Sequence, residues 1–186
     1  MNDKFKKGFT LVELLVVIGI LAILTAAVVV VLNPAELLKQ ARDAQRLSDF
    51  DALRSAIALY LSTAPTPTFN IATSSVAFAM VGSTCHGMSA NVSCSTRTST
   101  AIDGNGWVPI NFKELENIGL SSPLSSLPRD PINNVTYYYA GAFEQANKYY
   151  ELDTVLESNK YNIRMQTDGG NNNSVYEVGT KPGLNW

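Results

Sequence analysis

Hydrophobic positions divide the chain sharply. From Phe9 to Leu32 there are twenty-four residues with a single charge, Glu13. The apolar part from Leu14 to Leu32 would make a helix about 28 Å long, close to the roughly 30 Å hydrocarbon core of a bilayer. Asn33-Pro34-Ala35-Glu36 then reads as a helix start, with asparagine as cap, proline at the first helical position and glutamate reaching back. In an uninterrupted helix the same Pro34 would lose the bond to the Val30 carbonyl. Either way a bend or break is expected near residue 33.

From Pro34 to about Leu61 the apolar residues Leu37, Ala41, Ala44, Leu47, Phe50, Leu53, Ile57 and Tyr60 recur every three or four positions. This predicts an amphipathic helix, with Lys39, Arg42, Asp43, Arg46 and Asp49 on its solvent flank. Ser62 to Thr100 loses the period and reads as a long surface excursion, with one short element near Val76 to Val81. Trp107-Val108-Pro109-Ile110 suggests an edge strand, and Lys113 to Ile118 suggests helical turns ended by Gly119. Ser121 to Asn134, punctuated by three prolines, is a loop. Val135 to Ala140 and Lys148 to Leu156 are aromatic and β-branched and predict a hairpin joined through Gly141 to Asn147. Ser158 is placed to cap a short helix through Met165, and a last strand is expected over Ser174 to Val178.

Charge orients the opening segment. Lys4, Lys6 and Lys7 precede it, which marks that end as cytoplasmic and sends the rest of the chain outward. A cleaved secretory signal has a shorter apolar region, whereas this one runs on through Val28 to Val31. Glu13 does not suit a plain anchor, since a deep, unpaired carboxylate costs about 2.5–3.5 kcal/mol. No lysine or arginine lies between Lys7 and Lys39. A cut between Gly8 and Phe9 would create a cation: the new amine of Phe9, one helical turn before Glu13, on the same chain or a neighbouring copy.

The run Lys7-Gly8-Phe9-Thr10-Leu11-Val12-Glu13-Leu14 resembles the class III signal of bacterial type IV pilins and pseudopilins. The resemblance implies cleavage by prepilin peptidase between Gly8 and Phe9, N-methylation of Phe9, and neutralisation of a Phe9 amine by Glu13 during assembly. It further implies an α+β pilin fold, a long N-terminal helix packed on a small antiparallel sheet. The domains would be a basic leader (1–8), a transmembrane and polymerisation helix (9–32), an amphipathic helix (34–61) and a C-terminal globular domain (62–186) with a Ser/Thr-rich loop region (62–101). The chain would rest in the lipid bilayer of the cytoplasmic membrane, be extracted by an inner-membrane assembly platform, and join sister subunits in an extracellular or periplasmic filament. Many family members carry a proline about one turn earlier, where this chain has Val30. The alternative role is a minor subunit or membrane-anchored binding module.

A second resemblance lies in the C-terminal half. Leu127-Pro128-Arg129-Asp130-Pro131, the tyrosine strand, Tyr149-Tyr150-Glu151-Leu152 and the Asp-Gly-Gly loop are similar to the major pseudopilin of type II secretion and to related small-genome bacterial pilins. In those pseudopilins a loop near this place binds calcium. Here Asp168, Asn171 and Asn173 supply oxygen ligands of the kind calcium takes, and an Asx/Gly turn would use the same residues for backbone reasons.

Composition narrows the remaining classes. The net charge of −2 becomes −4 once residues 1–8 are removed, which is no electrostatic footprint for nucleic acid. Cys85 and Cys94 fall in the outward part, where disulfides persist, so they are expected to pair; two buried thiols are the other reading. His86 is the single histidine and is expected at the surface. No nucleophile triad, paired-carboxylate motif or phosphate loop accompanies it, so no catalytic role is expected.

Overall fold

The computed structural model describes residues 8–88 and 92–183, so the lysines of the basic leader lie outside the described residues. The chain divides into two compact units, Met1–Leu38 and Lys39–Trp186.

The first unit contains α1, Leu11–Leu32, whose large apolar side chains are exposed along its length. Nineteen of its residues, Leu11–Val29, are long and apolar enough to cross a membrane. The helix ends at Asn33, which takes left-handed backbone (φ 40°, ψ 74°). That conformation suits asparagine as a helix stop. Asn33 also starts the next helix, because its carbonyl accepts the N–H groups of Glu36 and Leu37. The break expected near residue 33 is therefore a change of helix, α2 running Pro34–Thr63, with proline at its first position.

In the second unit α2 buries Leu47, Phe50, Leu53, Ala56, Ile57 and Tyr60, as the period requires. Two residues assigned to the solvent flank are corrected: Asp43 and Arg46 are fully buried, while Ala41 and Ala44 are exposed. The buried stripe thus begins with an ion pair instead of alanines.

Among the described residues the sheet has five strands: β1 Ser75–Ala79, β2 Cys94–Thr96, β3 Ala140–Glu144, β4 Tyr150–Thr154 and β5 Tyr176–Gly179. Their order is β2-β1-β3-β4-β5. The fold is α+β as expected, but the sheet is mixed, not antiparallel, because β2 runs parallel to β1. The 80–93 crossover is long enough to bring the chain back to the same end of the sheet. Phe78, Phe143, Tyr150, Leu152 and Val178 face α2 in the main core, with Trp107, Phe112 and Tyr139. Phe50 meets Tyr139 edge-on at 5.0 Å between ring centroids. Ala77, Ala79, Ala140 and Ala142 line the opposite face, covered by Cys85, Val92 and Tyr138. Their small size lets this cover lie close to the sheet.

Several local expectations shift. The Ser62–Thr100 region carries the short element expected near Val76–Val81, as β1, but it also contributes β2 and the buried Phe69, Met80 and Cys85, so it is part of the fold and not a surface excursion. Trp107 to Ile110 is buried but forms no strand; the Trp107 indole N–H donates to the Pro128 carbonyl at 3.0 Å. The tyrosine strand begins later than its composition suggests. Asn134 Oδ1 accepts the N–H groups of Thr136 and Tyr137, at 2.9 and 2.8 Å, making an asparagine turn that holds residues 134–137 out of the sheet. The strand is instead Ala140–Glu144, which the sequence reading assigned mostly to the hairpin loop. Its Gly141 is required by packing, since a Cβ there would lie 2.9 Å from the Phe143 ring. A 3-10 helix over Phe112–Ile118 ends at Gly119 (φ 81°), as expected, and another covers Asn162–Gln166.

Candidate functional site

The N-terminal site is built on the first turn of α1. Gly8, Phe9 and Thr10 are exposed and outside regular structure, leaving the Gly8–Phe9 bond open on the surface of the chain. Thr10 caps the helix in extended backbone (φ −84°, ψ 150°). Its hydroxyl accepts the Glu13 N–H at 3.2 Å, while Glu13 Oε2 accepts the Thr10 N–H and hydroxyl, both at 2.8 Å. This reciprocal capping box gives Glu13 partners that need no cation. The sequence carried the signal, threonine three residues before glutamate at the head of an apolar run. The carboxylate also sits at the positive end of the helix dipole.

The second unit contains a charged centre that sequence reading missed. Arg46, with no side-chain exposure, forks onto Asp130 through Nε (2.6 Å to Oδ2) and its terminal nitrogen (3.1 Å to Oδ1). Its other terminal nitrogen reaches Asp43 at 2.8 Å and Glu157 at 2.7 Å. Arg42 donates to both oxygens of Glu157, at 2.6 and 2.7 Å. The acids are tied in turn to backbone: Asp43 accepts the N–H groups of Glu157 and Ser158, and Asp130 those of Ile132 and Asn133. Burial opposes ionisation of Arg46, but the bonds to Asp130, Glu157 and Asp43 outweigh it and raise its pKa. Burial likewise pushes Glu157 up, and the guanidiniums of Arg42 and Arg46 overcome that and hold its carboxyl below the ordinary value. The centre fastens the Asp130 and Glu157 loops to α2. Asp130 lies within the Leu127–Pro131 segment, where its role is now visible.

The remaining sequence-derived residues fall at separate places. Cys85 and Cys94 are joined by a disulfide, with 5.9 Å between Cα atoms, linking the crossover to the start of β2. His86 is half-buried: its ring stacks on Tyr138 at 3.8 Å, and Nε2 lies 2.9 Å from the Tyr138 carbonyl. Burial lowers its pKa, and the ring is packed on Tyr138 rather than free at the surface. Asp168 accepts the N–H groups of Gly170 at 3.0 Å and Glu177 at 2.8 Å, bracing the loop against β5. Asn171 and Asn173 lie exposed in that loop.

No curated protein and no solved structure gives a significant match to this chain. Residues 3–29 match the family described as the prokaryotic N-terminal methylation motif. Proteins of the type that bear it are structural pilins, not enzymes. The chain thus carries, at the head of an apolar helix, the class III signal found in type IV pilins and pseudopilins.

Proposed function

We propose that the chain is a structural subunit of a type IV pilus or type II secretion-like pseudopilus, cut between Gly8 and Phe9, methylated on Phe9, and assembled through α1. The observation that carries this reading is the placement of Glu13: one helical turn after the Phe9 position, at the start of a helix whose apolar side chains are exposed throughout. Such a helix fits lipid before assembly and sister helices after it. Leaving lipid brings no hydrophobic gain, so an assembly platform in the cytoplasmic membrane must do the work.

In the precursor Glu13 is satisfied by Thr10. After cleavage the Phe9 amine offers a charge-assisted partner, stronger than the neutral hydroxyl it competes with. In a filament that amine belongs to the same or the next subunit, and the pair fixes the axial register of the helices. The second unit, with its disulfide and buried charged centre, forms the part displayed outside the membrane.

Glu13→Ala is expected to leave cleavage and membrane insertion intact and to abolish filaments. The measurement is electron microscopy of sheared surface material beside immunoblots of the membrane fraction. Normal filaments from the variant would overturn the role assigned to Glu13.

A further inference from the structure

The α2-facing side of the sheet is apolar at its centre and turns polar at the β2 edge. Strand alternation places Val76 and Phe78 of β1 on that side, and Ser95 is the register partner of Phe78. Ser93 and Arg97, two residues before and after Ser95, continue the same row. The Arg97 N–H donates to the Ala79 carbonyl at 2.8 Å, so the β2 ladder extends to it. The two rows border a groove of about 530 Å³, within the usual size of a ligand pocket.

Arg97 is held in this groove without a counter-charge. Its guanidinium lies 3.7 Å over the Phe78 ring, and Nη1 donates to the carbonyls of Gly104 and Gly106 at 3.4 and 3.2 Å. Ring and carbonyls fix the fork in place but carry no negative charge. Arg42 and Arg46 both end on carboxylates, whereas no carboxylate among the described residues reaches Arg97, and its Nε and Nη2 have no partner there. Burial lowers the Arg97 pKa with no acid to offset it. The two open nitrogens of a planar guanidinium match the paired oxygens of a carboxylate or phosphate.

The rest of the groove defines what carries that anion. Ser74, Ser93 and Ser95 are exposed along it, and their hydroxyls make no bond to the described residues. A hydroxyl both donates and accepts, which suits a partner bearing hydroxyls of its own. Arg97 is the single charged group among the described residues lining the groove. One cation does not suit a nucleic-acid backbone, which several must neutralise. A row of serines gives the apolar parts of an acidic peptide little to pack against.

We infer that the β1–β2 groove binds an anionic sugar, its carboxylate or phosphate forked onto Nε and Nη2 of Arg97 and its hydroxyls exchanging hydrogen bonds with Ser74, Ser93 and Ser95. The groove lies wholly within the second unit, so binding does not depend on assembly of the chain.

The test is isothermal titration calorimetry at neutral pH on the full-length chain in a polyoxyethylene detergent, which presents no sugar of its own. The probes are trigalacturonate, a mannose phosphate, maltotriose, sodium acetate, sodium phosphate and tetraglutamate. One acidic sugar per chain is expected, with maltotriose, free acetate and free phosphate about tenfold weaker or worse. The tighter of the two acidic sugars identifies the anionic group, and either result supports the groove. Arg97→Gln should weaken binding about 10–100-fold and Arg97→Lys less, since the lysine keeps the charge without the fork. Ser95→Glu, at an exposed position, sets a carboxylate beside an intact Arg97 and should abolish binding, while Arg54→Gln on α2 should bind as wild type. Near-UV circular dichroism checks that each variant is folded. Failure of both acidic sugars to bind, or binding that Arg97→Gln and Ser95→Glu leave unchanged, would overturn the site. Equal binding of maltotriose would overturn the anionic assignment, and equal binding of free acetate or phosphate would overturn the sugar assignment. Tighter binding of tetraglutamate would overturn it in favour of a protein partner.

Discussion

Replacing Arg46 with methionine removes one charge from the second unit while keeping an unbranched side chain of similar length. The structure sets the scale of the loss. Arg46 makes contacts at 2.6, 2.7, 2.8 and 3.1 Å with three acids, and the side chains of Arg46, Asp43 and Asp130 have no exposure. Without it Asp43 and Asp130 keep their backbone donors but lose their counter-charge, and Glu157 retains only Arg42. Breaking a buried ion pair from one side costs about 3–5 kcal/mol, because the partners are left charged and dry. For a chain of this size that is a fall in Tm of about 6–20 °C. Near-UV circular dichroism of the detergent-solubilised full chain is the assay, since Trp107 lies buried 5.9 Å from Tyr139 and gives a tertiary signal. Arg46→Lys keeps the charge but loses the planar fork onto Asp130, so it should fall between wild type and Arg46→Met. A Tm for Arg46→Met within about 2 °C of wild type would refute the argument that this centre fastens the loops to α2.

Two further outcomes follow from named contacts. Opening the Cys85–Cys94 ring with Cys85→Ser/Cys94→Ser should lower stability by about 2.5–3 kcal/mol on the chain-entropy account, measured by urea unfolding, and dithiothreitol should give the wild-type chain the same deficit. The Glu157 carboxyl has a folded pKa below its ordinary value, so its contribution is present above the unfolded pKa and is lost as pH falls through the folded one. Stability measured by urea unfolding should therefore decline as pH drops below about 4.5, and Glu157→Gln should flatten that decline.

Periodicity made the helices legible, because burial of one face imposes it: Leu47, Phe50, Leu53, Ile57 and Tyr60 sit where a 3.6-residue repeat puts them. The same reasoning misplaced Asp43 and Arg46. A charged residue within a helix pattern reads as solvent-facing, and only partners at positions 130 and 157, far along the chain, make its burial tolerable. Val135 to Tyr139 had strand composition, yet the Asn134 side chain offered its backbone a nearer partner than a neighbouring strand did. The sheet's parallel pair was equally hidden, since nothing local to Cys94–Thr96 specifies the direction of the strand it joins. At the N-terminus the apolar run, Gly8, Phe9 and Glu13 could be read directly. The Thr10–Glu13 box was available from the same residues and changes their chemistry: Glu13 already has Thr10 as a partner in the uncut chain.

The most direct measurement of the account is the mass of the N-terminal peptide of this chain recovered from sheared surface filaments. The account predicts a mature chain that begins at Phe9 with a methylated amine. A chain still beginning at Met1, or one found in the membrane and never in filaments, would contradict it.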